Sequence, residues 1–261
     1  MPAQGHHLAI DVGNTRSKLV LFRDGTPVRW SRGPELTAAV VEDLLQGLRP
    51  AAIVVGSVGA PVDTIIATLS DIAPVLVVDP ATPLPIGNAY GTPATLGVDR
   101  IANAVGAAMR CPGRPVLVID AGTCITYDLV DASGVFQGGA ISPGMGMRAL
   151  AMHEHSAKLP IVGLEGDVAL VATSTEEALR SGVRNGLGYE LEGFARDLAH
   201  QFPGLVVMVT GGDGPWVASA LKNGIFAVPF LTLEGLYAIL LHQFELGRGP
   251  AVGRPRPGST G

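Results

Sequence analysis

The sequence predicts an α/β chain built from two similar halves, each a mixed five-stranded sheet flanked by helices. Two observations carry this. The first is an internal echo. LAIDVGNTRSK (8–18) returns as VIDAGTCITYD (118–128): an apolar strand ending in Asp-x-Gly, a turn with a small hydroxyl residue, then a second alternating strand. Asp11 and Asp120 are 109 residues apart, as are Gly13 and Gly122, and the next turns, Asp24-Gly25 and Ser133-Gly134, keep that offset. The second is the order of hydrophobic periods in the first half, which reads β-β-β-α-β-α-β with the later strands parallel.

Taken in order, 8–13, 16–22 and 26–31 alternate as an antiparallel meander with a turn at Asp24-Gly25. Residues 35–48 have helical spacing (Leu36, Val40, Leu44, Leu45, Leu48), and Pro50 follows just past the end. A short apolar strand at 52–55, a helix at 62–72 and a strand at 75–78 complete the half. Pro80, Pro83, Pro85 and Pro93 mark 79–93 as loop. In 94–110 the apolar residues at 98, 101, 102, 105, 108 and 109 face a core, with Asp99, Arg100 and Asn103 off that stripe near the start. Gly113-Arg114-Pro115 reads as the joint, which gives domains 1–113 and 114–247.

The second half repeats the meander at 116–119, 126–130 and 135–141. Ser142-Pro143-Gly144-Met145-Gly146 turns the chain into a helix ending near Lys158-Leu159-Pro160. Ser174 and Glu177 form a capping box that opens a long helix to about 202. Gly182, Gly186 and Gly193 recur along one face of it. Glycine costs about 1 kcal/mol inside a helix, so the stripe predicts close approach of another helix, from the other half or from a second subunit. A strand at 206–209 runs into Thr210-Gly211-Gly212-Asp213, and helices follow at 215–222 and 233–246. The Gly/Pro/Arg-rich tail, 248–261, reads as disordered.

Composition narrows the function. A net charge of −5 with no basic run argues against nucleic-acid binding and polybasic membrane contact. No apolar run reaches transmembrane length, and no signal-peptide pattern opens the chain. Cys111 and Cys124 make neither a metal site nor a disulfide framework, and they fit a reducing cytoplasm. His6 and His7 read as a frayed terminus, and Cys124 as a small buried residue. His153-Glu154-His155 lacks the i, i+4 spacing of a metal pair and reads as a solvated helix face.

The two Asp-x-Gly turns carry the chemistry. Glycine lets the backbone approach a phosphate closely. Turn amides can point at phosphate oxygens, while Asn14, Thr15 and Thr123 add donors. Asp11 and Asp120 supply oxygen ligands for hard cations. Two such turns would clamp a nucleotide's phosphates from both sides. The chain has neither a Walker lysine loop nor a G-x-G-x-x-G after a strand, which argues against P-loop and Rossmann nucleotide binding.

The ordered set DVGNTRSK (11–18), Tyr90 with LGVDR (96–100), DAGT (120–123), GGAISPG (138–144), AKLP (157–160), TEEALRSG (175–182) and TGGD (210–213) resembles the type III pantothenate kinases. The resemblance covers roughly residues 8–245. It implies the ribonuclease H-like (actin-like ATPase) fold of the acetate kinase, sugar kinase, Hsp70 and actin superfamily. It also implies ATP-dependent phosphorylation of pantothenate at its primary hydroxyl, giving 4'-phosphopantothenate, the first step of coenzyme A synthesis. Implied with it are a cytoplasmic homodimer, Mg²⁺, and K⁺ or NH₄⁺. By residue, Asp11, Val12, Gly13, Asn14, Thr15, Arg16, Ser17 and Lys18 match the nucleotide-phosphate loop, with Asp11 near Mg²⁺. Asp99 matches the proton acceptor. Gly97, Val98, Asp99 and Arg100, with Tyr90 and Thr175, match the pantothenate site. Asp120 matches the monovalent-cation ligand and Thr123 a nucleotide contact. Thr210-Gly211-Gly212 is a further candidate for the nucleoside end. Gly144-Met145-Gly146-Met147 is a local departure from the family pattern.

Each residue has a plainer reading. Asp99 could serve only as a dipole partner in a helix first turn, Arg100 as a surface or interface pair, and Tyr90 as packing. The alternative function is a nucleotide-binding accessory regulator without kinase activity, since members of this family have been described as accessory factors for transcription. Such a chain would lose Asp99 or the pantothenate residues, and here all are present. A sugar or acetate kinase is disfavoured because those chains are usually longer and nothing here specifies a sugar site.

Overall fold

One strand order, drawn twice, underlies the architecture. The computed structural model of the chain describes residues 5–13, 15–58, 63–221 and 225–250. β1 (His6–Val12), β2 (Ser17–Arg23) and β3 (Thr26–Gly33) form the first meander. Its turn has positive φ at both Asp24 (49°) and Gly25 (85°), the backbone twist that suits a two-residue hairpin. β4 (Ala52–Ser57) runs parallel to β1, and β5 (Val75–Val77) parallel to β4, giving the order β3-β2-β1-β4-β5.

The second sheet contains β7 (Val116–Ala121), β8 (Cys124–Val130), β9 (Val135–Pro143), β10 (Val206–Thr210) and β11 (Ile225–Ala227) in the equivalent places. Its full order is β11-β10-β7-β8-β9-β6. Among the described residues it therefore has six strands, not the expected five. The extra one, β6 (Gly87–Asn88), pairs parallel with β9. Two residues inside a proline-rich stretch carry no alternation, so the sequence hid it in the loop at 79–93. The ladders share an irregularity too: β2–β3 slips between Leu21 and Phe22, and β8–β9 between Leu129 and Val130. The bulge is the same structural device in both copies. Four residues separate Val12 from Ser17 but only three separate Ala121 from Ile125, so the offset drops to 108 along β8.

By compactness the chain forms two units, Met1–Pro85 with Thr92–Gly106 and Thr232–Gly261, and Ile86–Gly91 with Ala107–Leu231. This division departs from the linear halves 1–113 and 114–247. Most of α7 (Leu231–Glu245) joins the unit of the first sheet, and α3 (Val98–Arg110) is divided at Gly106.

In the first unit, Leu8, Ile10, Leu19, Leu21, Ile53 and Val55 point to one face. There they meet Val41, Leu44 and Leu45 of α1 (Ala38–Leu45) and Leu69 of α2 (Asp63–Ile72). α1 is shorter than its periodic pattern. The Thr37 side chain caps it by accepting from the Val40 amide, and Gln46 turns left-handed at its end. The other face carries His7, Ala9 and Asp11. His6 and His7 are not a frayed terminus: both lie in β1, and His7 is fully buried opposite Phe22. Tyr237 of α7 stacks on Phe22 at 4.5 Å between ring centroids, and the His7 ring lies 5.6 Å from Tyr237. α3 is buried on nearly every side, so Arg100 and Asn103 are buried rather than off the core stripe. A buried amide needs a partner, and Asn103 Oδ1 accepts a 2.8 Å hydrogen bond from Thr232 Oγ1 of α7.

In the second unit, Leu117, Ile119, Ile125 and Tyr127 pack on Leu187 and Leu191 of α5 (Thr175–Gln201) and on Val217 of α6 (Gly214–Ala220). The opposite face sets Val116, Val118, Val206 and Met208 against Ala107, Val228 and Leu231. α4 (Met145–Glu154) links β9 to the long segment before α5. Ser174 caps α5 by accepting from the Glu177 amide at 3.3 Å. Gly182 and Gly186 are exposed, and a Cβ on either would meet nothing within 4 Å. The expected disordered tail lies, beyond residue 250, outside the described residues.

Candidate active site

In the first unit the carboxylate turn and the start of α3 come together. Asp11, at the end of β1, is 8% exposed. Its register neighbours are Lys18 on β2 and Gly56 on β4. Lys18 places a cation opposite the carboxylate. Gly56 matters for what it lacks: a Cβ there would stand 3.0 Å from Val98 Cγ1 and 3.0 Å from Leu236 Cδ2. The missing side chain lets α3 begin beside the end of β4. The Val58 amide donates to Val12 O at 3.2 Å, and the Val58 side chain reaches Gly97. The turn closes through the Gly13 amide donating to Arg16 O at 3.1 Å. Thr15 and Arg16 are exposed, Ser17 is buried, and Asn14 lies outside the described residues.

Asp99 opens α3 half-buried, with its Oδ1 accepting from the Arg100 amide at 2.9 Å. The helix dipole favours negative charge at this end. A Cβ on Gly97 would fall 2.5 Å from that same Oδ1, so a side chain there would turn the carboxylate out of this position. Val98 is buried, and Arg100 is 5% exposed, which removes the surface-pair reading.

The second unit holds the second turn. Asp120 stands between Thr126 on β8 and Thr210 on β10, which puts the three side chains on one face of the sheet. The Thr126 and Thr210 hydroxyls are buried and have no hydrogen-bond partner among the described residues. Gly211, at φ 91°, lies directly over this carboxylate: a Cβ would be 2.5 Å from Asp120 Oδ1 and 2.2 Å from Ala121 O. The Asp213 amide donates to Ala121 O at 2.9 Å, so the TGGD loop folds over the end of β7. The turn itself closes through the Gly122 amide donating to Cys124 O at 2.9 Å. Thr123 is exposed, and so is Cys124, contrary to its expected burial. It sits at the turn's outer edge rather than in the core.

Tyr90 and Thr175 also belong to this unit. Tyr90 follows β6 at the sheet edge: a Cβ on Gly138 would stand 3.2 Å from its ring, and its ring centroid lies 5.9 Å from that of Phe136. Thr175 is exposed in the first turn of α5.

Sequence reading missed one cluster altogether. Arg148 on α4 donates to Glu190 on α5 at 2.5 Å, to Ser142 Oγ at 2.8 Å and to Pro143 O at 2.8 Å. Tyr127 OH donates to the other Glu190 oxygen at 2.8 Å. Burial alone would raise the Glu190 carboxyl, but hydrogen bonds from Arg148, Ser142 and Tyr127 outweigh it and hold the group below the usual glutamate range. Burial, with Glu190 beside it, pushes the Tyr127 phenol well above its ordinary value. The available signal was Arg148, four residues after the GGAISPG turn on a short helix, but a lone arginine there has no motif to mark it.

Among the described residues no three His, Cys, Asp or Glu side chains gather to hold a metal. His153 is engaged with Leu159 O at 2.7 Å. The donor set is instead single carboxylates beside turns. That suits a divalent ion completed by phosphates and water at Asp11. At Asp120 two unpartnered hydroxyls flank the carboxylate and suit a further oxygen-bound cation.

Solved structures share the fold. A Campylobacter jejuni protein described as a Baf family transcriptional activator has a TM-score of 0.61 at 20% identity, covering 91% of this chain and 99% of that one. An activator of 2-hydroxyisocaproyl-CoA dehydratase from Clostridium difficile, with bound ADPNP, has a TM-score of 0.54 at 14% identity, covering 96% and 100%. At these identities the likeness shows the fold alone: the duplicated α/β fold of actin-like ATPases and sugar kinases.

Sequence relatives narrow it further. The family model for type III pantothenate kinase matches residues 7–197. A Bacteroides fragilis protein named type III pantothenate kinase is 41% identical over 235 residues, covering 90% of this chain and 97% of the relative. One of the same name from Phocaeicola vulgatus is 40% identical over 241 residues, covering 92% and 100%. The chain belongs to the type III pantothenate kinase family.

Proposed function

We propose that this chain transfers the γ-phosphoryl group of ATP to the primary hydroxyl of pantothenate, forming 4'-phosphopantothenate at the entry to coenzyme A synthesis. The observation that carries the reading is the meeting of the Asp11 turn with the Gly97–Arg100 helix start, through Gly56 and Val58, in one unit.

Phosphoryl transfer needs positioning and charge neutralisation more than covalent chemistry from the protein. Amides of the Val12–Ser17 turn and the Lys18 ammonium bind the nucleotide phosphates, and Thr123 adds a hydroxyl. Asp11 would hold Mg²⁺, and Asp120 with the Thr126 and Thr210 hydroxyls would hold K⁺ or NH₄⁺. Bound there, the two cations supply charge neutralisation. Asp99 orients the pantothenate hydroxyl and accepts its proton. Arg100 holds the pantothenate carboxylate through the paired N–H groups of its guanidinium, with Tyr90 and Thr175 completing the acceptor site. Thr210-Gly211-Gly212 serves the nucleoside end.

A second copy of the chain covers α5. Gly182 and Gly186 leave open space there, Tyr189 is 61% exposed, and Ile141, Met147 and Leu150 are exposed apolar side chains of the same unit. Both cysteines are free, as a reducing cytoplasm would keep them. No described helix is long and apolar enough to cross a membrane. The regulator reading has no observation of its own, because the Baf-family likeness speaks to fold only.

The direct test is ATP turnover on addition of pantothenate, with and without potassium or ammonium. Pantothenate-dependent ADP release with a phosphorylated product is expected. ATP binding without any turnover would favour the regulator.

A further inference from the structure

We propose that Arg148 and Glu190 are a positioning pair that sets the Gly122-Thr123 turn from α5. The inference rests on the reading of that turn as a nucleotide contact. Neither residue belongs to the turn, and Arg148 acts through the end of β9.

The guanidinium is used as a fork. Nε donates to Pro143 O at 2.8 Å and Nη2 donates to Ser142 Oγ at 2.8 Å, so one edge of the group grips the last two residues of β9. The same Nη2 reaches Glu190 Oε2 at 2.5 Å. Glu190 is itself held from the sheet side by the Tyr127 hydroxyl, and the Tyr127 ring stacks on Phe194 of α5 with 4.1 Å between centroids. The carboxylate thus has a fixed position on α5, and Arg148 measures β9 against it.

From β9 the constraint reaches the turn by two routes. Pro143 is the register partner of Cys124, whose carbonyl accepts from the Gly122 amide. The Gly144 amide donates to Thr123 O at 3.0 Å. The fit is tight, because a Cβ on Gly144 would stand 2.1 Å from Gly122 O and 2.7 Å from Thr123 O. A shift of the Ser142-Pro143-Gly144 corner cannot occur without moving the Gly122 and Thr123 backbone. The arginine joins three acceptors, two on β9 and one on α5, where an ion pair between the two helices needs only one.

The test uses Arg148→Lys, which keeps the charge and the pairing with Glu190 but loses the planar fork. Glu190→Gln, nearly isosteric, is the second variant should the first fail to fold. Steady-state kinetics in ATP and in pantothenate are compared for parent and variants, with circular dichroism to confirm the fold. A rise in KM for ATP of roughly tenfold or more is expected, with KM for pantothenate within about twofold and kcat less affected. The double variant should be no worse than Arg148→Lys alone, because both changes break one linkage. A folded Arg148→Lys with unchanged KM for ATP overturns the proposal. Thr123→Val separates the two levels. If it raises KM for ATP the turn reading stands and Arg148→Lys decides the pair. If it leaves KM for ATP unchanged, the turn reading falls and the positioning role falls with it.

Discussion

The Cβ that Gly235 lacks would stand 1.8 Å from the carbonyl oxygen of Ala102. α7 therefore crosses α3 backbone against backbone, one turn along from Asp99. The buried Thr232–Asn103 hydrogen bond lies beside the crossing. Any side chain at 235 forces the helices apart and carries the start of α3 with them. Gly235→Ala should destabilise the protein by about 1–3 kcal/mol, the usual cost of overpacking, and lower turnover more than ATP affinity. Urea midpoints and steady-state rates check this, and an unchanged midpoint would show that the crossing tolerates a methyl group.

The cation reading predicts that activity in sodium alone falls far below that in potassium or ammonium. Asp120→Ala should abolish the difference. Thr126→Val and Thr210→Val, which replace an unpartnered buried hydroxyl with a methyl group, should each raise the potassium concentration for half-activation while the fold holds. Equal rates of the parent in all three salts would defeat the assignment.

Asp99→Asn keeps the shape of the side chain and leaves an acceptor for the Arg100 amide. It should fold and bind both substrates. Turnover should fall by about 10²- to 10⁴-fold, the usual worth of a positioned acid–base group, with Asp99→Glu falling somewhat less. If the asparagine variant stays within a factor of a few of the parent at saturation, Asp99 only starts the helix, and the proton acceptor must be sought at Asp11 or Asp120.

Gly186→Leu tests the second copy. Within one chain a Cβ at 186 would meet nothing within 4 Å, so the variant should fold and sediment as a monomer where the parent sediments as a dimer. A parent that is monomeric at micromolar concentration would rule the dimer out.

The fold was legible where periodicity was strong. The two meanders, the Ser174 cap and α3 all followed from spacing. What escaped was short or tertiary. β6 and β11, at two and three residues, are strands only because a neighbour pairs with them. His7 looked like a loose end because burial by Tyr237 comes from 230 residues further along the chain. The carboxylates of the site were legible as Asp-x-Gly turns, since glycine and acid together have a chemical reason to be there. Gly56 and the Arg148–Glu190 pair were not. A glycine at the end of an apolar strand reads the same whether or not a helix approaches it, and an ion pair joining two helices leaves no local pattern.

The placement of α7 bears on the order of synthesis. β1 and β2 leave the ribosome before the other strands described here, yet Phe22 waits for Tyr237, a residue made 215 positions later. At about 5–20 residues per second this interval is on the order of 10 to 40 s. The residues of the second unit up to Leu231 are all translated within it, so that unit can fold first although it begins later. Throughout that time the nascent chain carries the His7, Ala9 and Phe22 face of its first sheet without the helix that finishes covering it. Nascent chains in that condition are the ones that chaperones bind.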